Sequence, residues 1–276
     1  MKRAGVIALA AMMVLAGCPA DGGSEQTVTP AAVPEMPTAT PTPAPGFLTT
    51  CGVPRPVFAE RSTPEAPTSP ATIPTENGTV NASAVVATHE ATLSNYRYRL
   101  VGGGLSVVAT KNQSAFLATV GSNASSVTHY AINGTRYTYF VENRGRQHYS
   151  VGQHPPERST VFGGSLSLTG GATVERILRT YPHRIETVRD DGWTVLNGTT
   201  DEPSIVGDRE VLHVNSTVLV DPRGIVREVR TRSVYRSLGL DDGSRRTENV
   251  SMLVSQVGEA TFERPDWACI AAPERQ

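Results

Sequence analysis

The sequence predicts an α+β fold resting mainly on antiparallel strands. Three observations predict it. Apolar and polar residues alternate with a period of two through most of residues 96–257, the spacing of half-buried strands. Tight-turn signals, Asn133-Gly134 and Asp221-Pro222-Arg223-Gly224, join successive segments into hairpins. Only Ala82–Asn95 and Thr173–Thr180 carry helical spacing. Hairpins in succession give a sheet with one solvated face.

Taken in order, the first helix places Val85, Val86, His89 and Leu93 on one side, with Asn81 or Ser83 at its start. Strands are then expected at Tyr96–Val101, Leu105–Thr110, Phe116–Val120, Val127–Ile132, Tyr137–Val141 and Gln147–Val151. The second helix sets Val174, Ile177 and Leu178 on one side, follows Gly170-Gly171 and stops before Pro182. Further strands are expected at Arg184–Val188, Thr194–Leu196, Glu210–Val220, Ile225–Tyr235 and Val250–Val257. Arg97, Arg99, Arg136, Arg146, Arg227, Arg230 and Arg232 fit wetted positions on such strands. Gly102-Gly103-Gly104 reads as a turn or bulge.

The N-terminus follows different rules. Lys2 and Arg3 precede an apolar run, Val6–Ala16, that ends Leu15-Ala16-Gly17-Cys18. This is the anatomy of a secretory signal peptide, residues 1–17, and the run is shorter than the roughly 20 residues a membrane span requires. Its ending resembles the lipobox of prokaryotic lipoproteins, which implies cleavage before Cys18 and lipid on that cysteine. Residues 18–46 are Pro- and Thr-rich with almost no large apolar side chain, so they are expected to form a disordered tether. Residues 47–76 form a Pro-rich segment around Cys51, and residues 77–272 a single globular domain.

Of ten asparagines, eight begin an Asn-X-Ser/Thr triplet: Asn77, Asn81, Asn112, Asn123, Asn133, Asn197, Asn215 and Asn249. That density reads as N-glycosylation of an exported protein. For single sites a local reading stands beside it. Asn77-Gly78, Asn133-Gly134 and Asn197-Gly198 are turn dipeptides, and Asn81 is a helix cap. With Cys18 lipidated, Cys51 and Cys269 remain as an even pair in an oxidising compartment. A bridge would fasten the start of the domain to its last strand; two free buried thiols are the alternative. The predicted location is the outer face of the cell membrane, held there by lipid.

Twenty-three of the 25 basic residues are arginine, and the net charge is only −1. The arginines are scattered, which argues against a nucleic-acid partner. No catalytic constellation, cofactor motif or metal set emerges. Six histidines are dispersed without the His-Glu-x-x-His spacing. His148, His154 and Glu157 could meet at a metal, although a solvated loop explains them as well. Gly163-Gly164-Ser165-Leu166-Ser167 lacks the last glycine of a nucleophile elbow. Asp190-Asp191 and Asp241-Asp242 each precede a glycine and read as turns.

The order of helix, strands, helix and strands, the segment Val220–Arg227 (VDPRGIVR), and the ending Glu263-Arg264-Pro265-Asp266-Trp267 resemble a family of haloarchaeal surface lipoproteins. More distantly they resemble the LolA/LppX-type carriers of lipids and lipoproteins. The resemblance covers roughly residues 77–267 and its motifs are loose. It implies an incomplete β-barrel, with about two helices on the concave face and an apolar cavity between them lined by Val85, Val86, Leu93, Ile177 and Leu178. The same five residues would equally serve as core. Two functions follow as expectations: carriage of an apolar ligand such as a lipid, or a non-enzymatic envelope module that binds protein or polysaccharide.

Overall fold

The computed structural model describes residues 51–58, 67, 69–122, 124–143, 145–154, 160–161, 166–238 and 244–272. Residues 1–50 lie outside these, and with them Cys18 and the tether. So do Asn123, Glu157, Gly163-Gly164-Ser165 and Asp241-Asp242.

The elements are β1 (Thr75–Glu76), β2 (Thr79–Val80), α1 (Ala82–Leu93), β3 (Tyr98–Gly102), β4 (Leu105–Ala109), β5 (Ala115–Gly121), β6 (Ser126–Ile132), β7 (Thr135–Val141) and β8 (Gln147–Gln153). There follow β9 (Thr160–Val161), β10 (Leu166–Ser167), α2 (Gly171–Thr180), β11 (Arg184–Val188), β12 (Thr194–Thr200), β13 (Ser204–Val206), β14 (Arg209–Val220), β15 (Val226–Ser237), β16 (Arg245–Ser255) and α3 (Asp266–Ala271). The main sheet is antiparallel in the order β11-β12-β14-β15-β16-β3-β4-β5-β6-β7-β8, with β13 added beside β14. It is an open, curved half-barrel with α1 and α2 on its concave face.

Two meanders, β3–β8 and β11–β16, are joined where β16 pairs with β3. That seam is tight. A Cβ on Gly102 would lie 2.3 Å from the Ser251 carbonyl oxygen, so only glycine lets the strands meet there. The turn after it, Gly103-Gly104, has φ of 59° and 76°. At the β6–β7 hairpin Asn133 and Gly134 have φ of 50° and 75°, the two positive values a type I′ turn requires.

Alternation along the strands divides the core in two. Leu100, Val107, Phe116, Leu196, Val218, Val229 and Met252 face inwards and pack with Val85, Val86 and Leu93 of α1 and Val174, Ile177 and Leu178 of α2. On β5–β7 the intervening positions, Ala115, Tyr130, Ile132 and Tyr137, form a second cluster on the other face with Val53, Phe262, Trp267 and Ala268. This half of the sheet is therefore covered on both sides. Its outer cover is α3 and the segment around Cys51, fixed by the Tyr130 hydroxyl donating to Pro54 O at 2.7 Å and by Arg264 donating to Val53 O at 2.8 Å. Tyr139 stacks on Tyr149 and on Trp267, at ring separations of 5.2 and 5.5 Å.

Cys51 and Cys269 are bridged, with Cα atoms 5.4 Å apart and a sequence separation of 218. The bridge ends on helix α3, which corrects the expectation that it would fasten a strand. Asn197-Gly198 is likewise no turn: it lies in the middle of β12. Glycine is required there because a Cβ would approach the His183 ring to 2.9 Å. The arginine pattern also needs correction. Arg227 is not wetted, since its side chain is only 21% exposed and pairs with a fully buried Asp221.

That Asp221 organises the β14–β15 turn. One carboxylate oxygen accepts from the amides of Arg223 and Ile225, both at 3.0 Å. The other accepts from Arg223 Nη2 at 2.8 Å and Arg227 Nη1 at 3.4 Å. The turn in turn seats α1: the Val226 amide donates to His89 Nδ1 at 3.1 Å, and a Cβ on Gly224 would strike Thr88.

Replacing Asp221 by Ala leaves the Arg223 and Ile225 amides and two half-buried arginines, Arg223 and Arg227, without their acceptor. Chemical denaturation should show a loss of about 3–5 kcal/mol, the usual cost of breaking a buried pair. Reducing the disulfide, or the double change Cys51→Ser with Cys269→Ser, should lower stability by about 2–5 kcal/mol in the same assay. Unchanged midpoints would contradict each assignment.

Candidate functional site

Two of the cavities among the described residues are large enough to consider. The larger, about 370 Å³, is a groove at one end of the sheet. Four stretches form it: Arg55–Phe58, the α1–β3 connection at Asn95–Arg97, the β4–β5 connection with the first residue of β5, and Ile132-Asn133 at the β6–β7 turn. Its cations are Arg55, Arg97 and Lys111, and its described lining holds no carboxylate. Arg97 is fixed, donating from Nε to Gly258 O at 2.6 Å and lying 5.9 Å from the centre of the Phe58 ring. Arg55 and Lys111 are exposed. The smaller cavity, about 180 Å³, lies among Arg189, Val195, Thr217, Leu219, Glu228 and Arg230 on the outer side of β12–β15.

The five residues expected to line an apolar cavity lie elsewhere. Val85, Val86, Leu93, Ile177 and Leu178 are between 0 and 8% exposed and belong to the core cluster under the helices. They line neither of the two cavities described.

The interior also holds polar chemistry that sequence reasoning missed, because its partners are far apart in the chain. His183 Nδ1 donates to the Tyr181 carbonyl, and Nε2 accepts from the Ser216 hydroxyl at 2.9 Å. Ser216 bonds Thr231 at 2.8 Å. A serine on a histidine held by a carbonyl is the chemistry of an activated nucleophile. Here, however, Ser216 and His183 are both 0% exposed, so the chain works as a polar bridge from the α2–β11 connection to β14 and β15. Under α1, Glu90 accepts from Thr169 Oγ1 at 2.8 Å and Ser167 Oγ at 3.3 Å. It packs against Gly171, where a Cβ would be 2.1 Å from its carboxylate. A carboxylate so placed offsets the positive end of α2, whose cap Gly170 offers no side chain.

The histidines do not gather. His148 lies on β8 beside Glu142 at 3.4 Å, both exposed, while His154 is buried edge-on against Phe116. Among the described residues no three His, Cys, Asp or Glu side chains come together in a way that would hold a metal. Nor, among them, is any helix long and apolar enough to cross a membrane.

Seven of the eight sequon asparagines are described. Asn77, Asn112 and Asn133 are exposed, each with φ between 50° and 54°. Asn81 caps α1, accepting from the Ala84 amide at 3.0 Å. Asn215 on β14 and Asn249 on β16 are exposed and both pair in register with Arg232 of β15. Asn197 is half-buried on β12, and its Oδ1 is buried without a hydrogen-bond partner.

No family model, curated protein or solved structure matches this chain.

Three buried histidines make the fold acid-sensitive. Burial lowers the pKa of His89 and of His183. Burial, with Arg136 and His154 nearby, pushes His129 down to about 4. A proton on His89 Nδ1 would also remove the acceptor of the Val226 amide. The unfolded chain takes up these protons near pH 6.5 and the folded chain only at lower pH, so stability is full above about pH 6.5 and falls as pH drops below it. Melting temperature should therefore decline between about pH 6.5 and 5, before most carboxylates titrate. A flat profile across that window would refute the histidine account.

Proposed function

We propose that this chain is an exported surface lipoprotein, anchored in the membrane by lipid on Cys18 and carrying N-linked sugar. In this reading the folded domain is a non-enzymatic binding module for a protein or polysaccharide of the envelope. One observation supports a binding module over internal lipid carriage. The concave face of the half-barrel is filled, with Leu93 and Val174 at 0% exposure and Ile177 and Leu178 at 4 and 3%. An apolar ligand there would have to displace α1 or α2 from a packed core, losing burial worth about 25 cal/mol per Å². The lipobox, the Pro/Thr tether and the density of sequons support the surface location, and the Cys51–Cys269 bridge fits an oxidising compartment.

Whole-cell cross-linking followed by affinity isolation should capture one recurring envelope partner. Mass spectrometry of an organic extract of the same preparation should find no stoichiometric lipid beyond the one joined covalently to Cys18. A stoichiometric lipid, absent from a control surface protein, would replace this reading with carriage of an apolar ligand.

A further inference from the structure

We propose that the groove between the Cys51 segment and the loops at the end of the sheet binds an acidic glycan, one bearing carboxylate or sulfate groups. This rests on the interaction-module reading and names the ligand class for it. The described lining pairs cations with aromatic and amide surface: Arg55 and Lys111 exposed, Arg97 held against Phe58, and Tyr96 and Asn133 beside them. Cations neutralise the acid groups, the half-buried Phe58 ring covers the apolar side of a sugar, and an amide bonds its hydroxyls. The cations come from three separate stretches of chain, which suits an extended anion better than one compact phosphate. A volume of about 370 Å³ leaves room for a sugar residue rather than a lone ion.

Lys111 makes the idea directly testable. The sequence has two lysines, and Lys2 falls in the predicted signal peptide, so Lys111 is the one lysine side chain of the predicted mature protein. Its acylation by an amine-reactive reagent, read by mass spectrometry, reports on this groove. Asn133 on the lining is itself a sequon, and sugar attached there would compete with a soluble glycan. Protein from a native-type host is therefore assayed beside its Asn133→Gln form.

Polygalacturonate and dextran sulfate are the acidic probes, with neutral dextran and inorganic phosphate as controls. Acidic polymer should slow Lys111 acylation about fivefold or more in at least the Asn133→Gln form, and neutral dextran should not. Protection by polygalacturonate alone assigns a carboxylated sugar, and protection by dextran sulfate alone a sulfated one. Arg55→Ala should weaken the apparent affinity roughly tenfold, the effect of losing one charge-assisted contact. Arg232→Ala, an exposed arginine on the outer face, should leave it unchanged. No protection by either polymer in either form overturns the proposal. So does equal protection by phosphate at matched charge, or equal weakening by Arg232→Ala. Cross-linking to an envelope partner without Lys111 protection would remove this site and leave the module reading standing.

Discussion

An open curved sheet has to hide one apolar face, and here everything depends on how α1 is seated over it. The seat is a neutral imidazole. His89 accepts the Val226 amide on Nδ1 and donates from Nε2 to the Thr169 carbonyl at 2.9 Å. One ring thus ties the first helix both to the β14–β15 turn and to the loop that starts α2. The turn is held in shape by Asp221, and the loop by Glu90 reaching over from α1. These contacts close a ring of dependence among α1, α2 and the long hairpin. His89, Thr169 and Asp221 are buried and Glu90 is half-buried, so each needs the others to stay satisfied.

The same economy explains where glycine appears. At Gly198, Gly102, Gly171 and Gly224 a side chain would meet His183, the β16 backbone, Glu90 and Thr88 respectively. None of the four is there for flexibility. They are points where two elements approach to backbone distance, and they mark the places where the sheet, helices and hairpin lock. Polar groups sit beside two of these close approaches, where a missing Cβ lets the His183 imidazole reach a carbonyl and the Glu90 carboxylate reach two hydroxyls.

Much of this architecture was legible in the sequence, and the rest was hidden for identifiable reasons. The helix at Val85, Val86, His89 and Leu93 and the hairpin at Asn133-Gly134 follow local rules of spacing and turn chemistry, and both are present. Helix α3 escaped notice because six residues after Pro265 are too few to display a period. Asn197-Gly198 reads locally as a turn, yet its glycine answers to His183 from the α2–β11 connection. The Ser216–His183 bridge and the cationic groove share that character. Arg55, Arg97, Lys111 and Asn133 come from four stretches that only the folded sheet end brings side by side, so no spacing rule would select them.

The disulfide has a mechanical meaning. Tension applied to the chain from its N-terminal side enters the described domain at Cys51 and passes straight into α3 through a covalent bond. The next residues along the chain, Arg55–Phe58, are the ones that line the groove. A load between the N-terminal side and an occupant of that groove would follow this short covalent route, and the long β14–β16 ladder would not be in series with it. Peeling of the hydrogen-bonded strands, the weak mode of an open sheet under pull, would thereby be bypassed.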